Sequence, residues 1–192
     1  KKVNGMFSVI FLDIKTSQLF IFRDPVGIKP IYLYQNGAKI YFSSEIKGLR
    51  PYIDKLEIDN EKLYEFFSLG YLIEPETGFK NVSKLMPGCF LQYNLINGTM
   101  FEDLYFERDS SDRDQEINIK TITDSIQDQL MSDVKVGLFY SGGIDSSVVA
   151  NATDLDCVYI NNPREKKSNI DKQSVDYFKT LNKNQVIEIN SV

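Results

Sequence analysis

The chain has 192 residues, enough for one large domain or two small ones, and its 42% hydrophobic and 26% charged residues are an ordinary globular composition with a core to bury. A formal net charge of -5 argues against a nucleic-acid or membrane-surface binder, and no apolar run approaches the roughly 20 residues of a membrane helix. Histidine is absent, which removes Ser-His and Cys-His catalysis from this chain and argues against zinc.

Small-molecule partners are therefore expected. Lys1-Lys2-Val3-Asn4-Gly5 has no signal-peptide core, so a cytoplasmic setting is the default. Cys89 and Cys157 lack metal-ligand spacing and read as buried free thiols.

In chain order, residues 1 to about 43 read as an antiparallel β-meander, with strands at Met6–Asp13, Gln18–Arg23, Pro30–Tyr34 and Ala38–Ser43. Gln35-Asn36-Gly37 predicts a hairpin closed by a type I′ Asn-Gly turn. Between the second and third strands, Arg23-Asp24-Pro25-Val26-Gly27-Ile28-Lys29-Pro30 is denser in special residues than a simple reversal requires. It reads as a structural loop in which Asp24 offers charge pairing to Arg23 or Lys29, or else as a ligand or domain-contact loop. A short helix to Leu49 follows Ser43-Ser44-Glu45, with a serine cap and an acidic first turn. A longer one begins at Asp59 and ends at Gly70, with Leu63, Phe66 and Phe67 on a core face. Pro87-Gly88 turns the chain into a strand from Cys89 to Tyr93, and Asn97-Gly98 closes another hairpin. Helices beside antiparallel strands make this region α+β.

Residues 107 to 118 hold no large apolar side chain except Ile117, so a linker at 111–118 divides domains at 1–110 and 119–192. Ile119, Ile122, Ile126 and Leu130 recur at helical spacing. Val134 to Phe139 then reads as a buried strand that passes through Ser141-Gly142-Gly143 into a helix. Cys157–Ile160 is the next strand, Asp171–Leu181 a helix with Val175 and Phe178 inward, and Val186–Ile189 a third strand. Such alternation predicts a parallel, doubly wound α/β sheet with ligands at the carboxyl ends of its strands.

The Ser-Gly-Gly turn suits an anion, because exposed turn amides and the positive end of a helix dipole point into one space. The Walker loop is excluded, since no lysine follows the glycines, and G-x-G-x-x-G is absent. A serine-glycine turn without ligand is the plain alternative. Ser141-Gly142-Gly143-Ile144-Asp145-Ser146, between a strand and a helix, resembles the pyrophosphate loop of the ATP pyrophosphatase superfamily. Four further segments, Asn4-Gly5-Met6-Phe7-Ser8, Arg23 to Pro30, Ser44-Glu45-Ile46-Lys47-Gly48-Leu49 and Lys84-Leu85-Met86-Pro87-Gly88, stand in an order similar to that of glutamine-hydrolysing asparagine synthetases. Ser132-Asp133-Val134 leading into SGGIDSS extends the resemblance through nearly the whole chain.

That resemblance implies a portion of an N-terminal-nucleophile-type amidotransferase domain, followed by the start of an α/β nucleotide-binding synthetase domain. It implies a ligase that adenylates the aspartate side chain with Mg-ATP and uses glutamine-derived ammonia, giving asparagine, AMP and pyrophosphate. By position, Ser141, Gly142, Gly143, Asp145, Ser146 and Ser147 would contact the phosphates of ATP, with Asp145 on Mg2+. Phe139 and Ile160 fall where adenine-flanking residues stand, with a core role as their alternative, and Asn161 stands where glycine is common. Asn4 and Gly5 fall in the glutamine-binding pattern, where Asn4 replaces the family's aspartate. The family's amino-terminal cysteine nucleophile has no counterpart here, so no catalytic residue is assigned, and the expectation is a piece of a longer protein. The resemblance leaves room for a homodimer, and for a diverged relative using another amine, like β-lactam synthetases and lasso-peptide cyclases. A non-catalytic nucleotide-binding module is the remaining alternative.

Overall fold

The computed structural model describes residues 3–107, 118–161, 173, 175, 176, 179 and 186–190. The chain divides into two compact units, Lys1–Asp112 and Arg113–Val192.

The first unit contains β1 (Ser8–Asp13), β2 (Gln18–Arg23), β3 (Tyr32–Asn36), β4 (Lys39–Ser43), α1 (Ile46–Leu49), α2 (Asn60–Leu69), β5 (Val82–Lys84), β6 (Cys89–Asn94) and β7 (Met100–Leu104). The strands form two antiparallel sheets, β1-β2-β6-β7 and β4-β3-β5. The meander is therefore corrected. β2 pairs with β6, with Ile21 opposite Leu91, and β3 belongs to the other sheet. The Pro25–Pro30 segment is a crossover between sheets rather than a reversal within one.

The period-2 pattern accounts for the core. Leu19 and Ile21 of β2 and Cys89, Leu91 and Tyr93 of β6 are buried on one face, clustered with Ile31, Leu33 and Leu85. On the other face of the second sheet, Tyr32, Tyr34 and Tyr41 pack around Leu49, Ile53 and Val82. β5, a three-residue strand, escapes sequence reading because so short a run shows no periodicity.

Three local expectations are also corrected. Asn36 pairs with Lys39, so the loop residues of the first hairpin are Gly37 and Ala38. Positive φ occurs at Gly37 and not at Ala38, the φ pattern of a II′ turn rather than I′. At α1 the cap is Glu45 with no side-chain cap bond and no acidic residue in the first turn, while the Ser43 hydroxyl accepts from the Glu45 amide. α2 is capped as expected, Asp59 accepting from the amides of Glu61 and Lys62 and Gly70 closing it in a left-handed conformation. Yet α2 buries none of its residues, and Phe67 is 76% exposed. Helical spacing placed its aromatics on a face without saying what covers that face.

The loop after β2 is built by side chains on the backbone. Asp24 Oδ1 accepts from the amides of Val26 and Ile28, and Oδ2 from that of Lys29 at 2.9 Å. Arg23 pairs not with Asp24, as the sequence suggests, but with Glu74 at 2.8 and 3.1 Å, and it donates to the carbonyls of Leu85 and Gly27. A Cβ on Gly27, whose φ is +73°, would stand 2.7 Å from Pro87 and 2.9 Å from the Arg23 guanidinium, so this glycine is required by both conformation and space.

Burial alone would raise the Asp24 carboxyl, but four backbone amides more than offset it and hold it below its ordinary value. Glu74 behaves likewise, its desolvation outweighed by hydrogen bonds and charge from Arg23 and Lys84. Groups depressed in the folded state contribute stability that is present above their unfolded pKa and lost as pH falls through the folded one. The urea midpoint of the full chain, followed by tyrosine fluorescence, is therefore expected to hold near neutrality and fall as pH drops below about 4.5, the ordinary glutamate value. In Glu74→Gln that acid fall should be shallower, and a midpoint rising toward acid would contradict the assignment.

The second unit contains α3 (Ile119–Asp128), β8 (Gly137–Phe139), α4 (Ile144–Ala152), β9 (Asp156–Asn161) and β10 (Val186–Asn190). Its sheet has the order β10-β9-β8, both pairings parallel. Tyr140, Ala150, Cys157, Tyr159 and Val175 form its buried cluster, with Leu138 packed against it. Residues 173, 175, 176 and 179 of the expected Asp171–Leu181 helix have helical backbone, and Phe178 lies outside the described residues. The buried cradle strand is corrected: β8 is three residues long, and Val134 and Phe139 are exposed. Both cysteines are free and buried, and burial pushes both thiols up. No helix among the described residues is long and apolar enough to cross a membrane.

Candidate functional site

Two places in the fold carry the residues singled out by the sequence, one in each unit. In the first, Asn4 lines a cavity of about 650 Å³ together with Val3, Phe7, Val9, Phe22, Pro25, Tyr105 and Phe106. Gly5 is exposed, with φ +121° and open space where a Cβ would stand. The walls are largely aromatic and aliphatic. Tyr105 turns its hydroxyl away to donate to the Arg23 carbonyl at 2.6 Å, which ties the cavity wall to the Arg23 loop.

In the second unit, β8 runs through Tyr140 and Ser141 into the turn that starts α4. Gly142, at φ +86°, adopts the left-handed conformation the turn needs. Gly143 is the N-cap of α4 and supplies no side-chain cap. The first amides of the helix, on Ile144, Asp145 and Ser146, therefore have no side-chain cap, and with the helix dipole they form an anion-binding end. Asp145 is exposed and is the acidic residue of the first turn.

The three serines are close to one another and to the Gly143 carbonyl. Ser141 Oγ lies 3.0 Å from Ser146 Oγ and accepts from the Gly143 amide at 3.3 Å. Ser146 Oγ and Ser147 Oγ donate to the Gly143 carbonyl at 3.0 and 2.8 Å. Behind them, the buried Tyr140 places its hydroxyl 3.1 Å from Ser147 Oγ. Sequence reading overlooked Tyr140; a hydroxyl-bearing ring at the end of an apolar strand, one residue before Ser-Gly-Gly, was the available signal.

The fold thus brings Ser141, Gly142, Gly143, Asp145, Ser146 and Ser147 together in one turn and helix start. Phe139 ends β8 with its side chain 74% exposed. Ile160 lies in β9, which pairs with β8 through other residues, and its side chain is outside the described part of the structure, as is that of Asn161. Asn4 and Gly5 belong to the other unit and its cavity. Among the described residues there is no group of three or more His, Cys, Asp or Glu side chains placed to hold a metal.

Residues 1–105 match the glutamine amidotransferase domain family, and residues 119–156 match the asparagine synthase family. A Methanocaldococcus jannaschii protein provisionally named glutamine-hydrolyzing asparagine synthetase 2 is 33% identical over 94% of this chain and 38% of its own length. Bacillus subtilis asparagine synthetases (glutamine-hydrolyzing) 1 and 3 are 34% and 33% identical over 78% and 77% of this chain. The chain spans 24% and 25% of the length of those two relatives. From the amidotransferase match over its first 105 residues and the asparagine synthase match that follows, the chain belongs to the glutamine-hydrolysing asparagine synthetase family.

Proposed function

We propose that this chain belongs to an ATP-dependent amide-forming ligase of the asparagine synthetase type. In this reading the aspartate side chain is adenylated by Mg-ATP, and ammonia derived from glutamine completes asparagine, releasing AMP and pyrophosphate. The observation that carries it is the start of α4, where a left-handed glycine and helix amides without a side-chain cap meet three serines at the carboxyl end of a parallel strand. These groups fit a polyphosphate, because amides and hydroxyls donate to anionic oxygens without a fixed countercharge. Asp145 would contribute one ligand to Mg2+. The remainder of the shell would come from phosphate oxygens and water, as is usual for this ion. When bound, Mg-ATP supplies the activating adenylyl group; the residues of this chain hold and orient its phosphates.

The test is a titration of Mg-ATP against the full chain. Wild type is expected to bind. Asp145→Ala should bind about tenfold more weakly with Mg2+ present, the worth of one charged contact, and equally to wild type in EDTA. No binding by wild type would sink the nucleotide reading, and equal binding by the variant with Mg2+ would remove Asp145 from the metal. For the reaction, AMP and pyrophosphate should form only with aspartate and ammonia supplied, and ADP would exclude adenylation.

A specific residue favours a second reading. Asn4, in place of an acidic residue that would grip a substrate ammonium, gives a neutral amide where charge-assisted binding would be stronger. This suits a relative that takes an amine other than glutamine-derived ammonia.

A further inference from the structure

We propose that Tyr140 is the positioning residue of the Ser-Gly-Gly loop, dividing its serines into one fixed strut, Ser147, and two ligand-facing hydroxyls, Ser141 and Ser146. The inference rests on the nucleotide reading above and deepens it.

Proton counting fixes the direction of each bond. A serine hydroxyl has one proton. Ser147 gives its proton to the Gly143 carbonyl at 2.8 Å, so in the 3.1 Å contact with Tyr140 the phenol is the donor. Ser146 gives its proton to the same carbonyl at 3.0 Å, so Ser141 donates to Ser146 while accepting from the Gly143 amide. The Gly143 carbonyl then faces three donors, Ser146 Oγ, Ser147 Oγ and the Ser147 amide at 3.0 Å, with two lone pairs to offer.

One donor is surplus, and burial decides which. The Ser147 amide is fixed by the helix, and Ser147 Oγ is held from behind by Tyr140, whose ring lies in the buried cluster with Cys157 and Tyr159. Ser146 has no such backing. When it turns outward its hydroxyl donates its hydrogen bond to a phosphate oxygen instead, and the carbonyl remains doubly satisfied. Ser141, exposed and deprived of its acceptor, turns its own proton to the ligand. Without the Tyr140 hydroxyl, Ser147 becomes as free as Ser146, and the turn loses the donor that kept the carbonyl satisfied.

The affinity of the full chain for Mg-ATP, with inorganic pyrophosphate as competing probe, separates these roles. Ser146→Ala should weaken binding about tenfold, and Tyr140→Phe and Ser147→Ala about threefold each. Tyr140→Phe combined with Ser147→Ala should remain near threefold, since both break one link, whereas Tyr140→Phe combined with Ser146→Ala should multiply. Ser147→Thr, which keeps the hydroxyl, should restore wild-type affinity, a rescue that general loosening of the unit does not give. The division is overturned if the Tyr140→Phe and Ser147→Ala losses multiply. It is also overturned if Ser147→Ala costs as much as Ser146→Ala, or if Tyr140→Phe binds like wild type. Failure of wild type to bind Mg-ATP would instead overturn the nucleotide reading and this assignment with it.

Discussion

Replacing Arg23 with alanine is expected to destabilise the first unit by about 3–5 kcal/mol, the range for removing one partner of a buried ion pair. Arg23 is 2% exposed and joins two places distant in sequence, Glu74 and the Leu85 carbonyl, to the Gly27 carbonyl of its own loop. Its loss leaves two carbonyls without their donor and Glu74 with only Lys84. Lysine at position 23 keeps the charge but lacks the planar fork that reaches Glu74 with two nitrogens, so Arg23→Lys should recover only part of the loss. Urea unfolding of the three proteins at neutral pH checks this. Full recovery by lysine would mean that charge alone, rather than the fork, sets the anchor.

Leu91→Ala should cost about 2–5 kcal/mol, the range measured for emptying a buried leucine site. Leu91 is fully buried at the centre of β6, opposite Ile21 on one side and Glu102 on the other, and it shares a cluster with Leu85 and Leu33. Strands on both sides hold the backbone, so the site has little freedom to collapse around the missing methyls. Phe101→Ala on the edge strand β7, where the ring is exposed, should cost far less despite removing more atoms. Equal losses at the two positions would contradict the burial assigned here. Thermal or urea unfolding of the full chain measures both.

What the sequence made legible, and what it did not, follows from the range of the interaction concerned. The alternation in β2 and β6 is local, so the strands and their inward residues Leu19, Ile21, Leu91 and Tyr93 are readable. The pairing of those strands is not, because Gln18 and Gln92, which bond across it, are 74 positions apart. Arg23 and Asp24 were identifiable as special. Their jobs were not, since one reaches Glu74 far along the chain and the other binds amides within five residues. The phosphate-type turn was legible as a whole, because Ser141 to Ser147 is one continuous motif. The unequal standing of its serines was hidden, since it depends on Tyr140 being buried against Cys157 and Tyr159, which are brought up by another strand.

The Arg23–Glu74 anchor closes a loop of 51 residues. Loop-closure entropy grows only with the logarithm of length, about 0.6 kcal/mol for each doubling. Added residues at an exposed turn within this span, such as the one at Gly70, where nothing crowds the backbone, therefore barely change the entropic cost of forming the anchor. Entropy thus leaves the length of this segment little constrained, while the spacing from Arg23 to Gly27 is fixed, because the guanidinium itself fills the space beside that glycine.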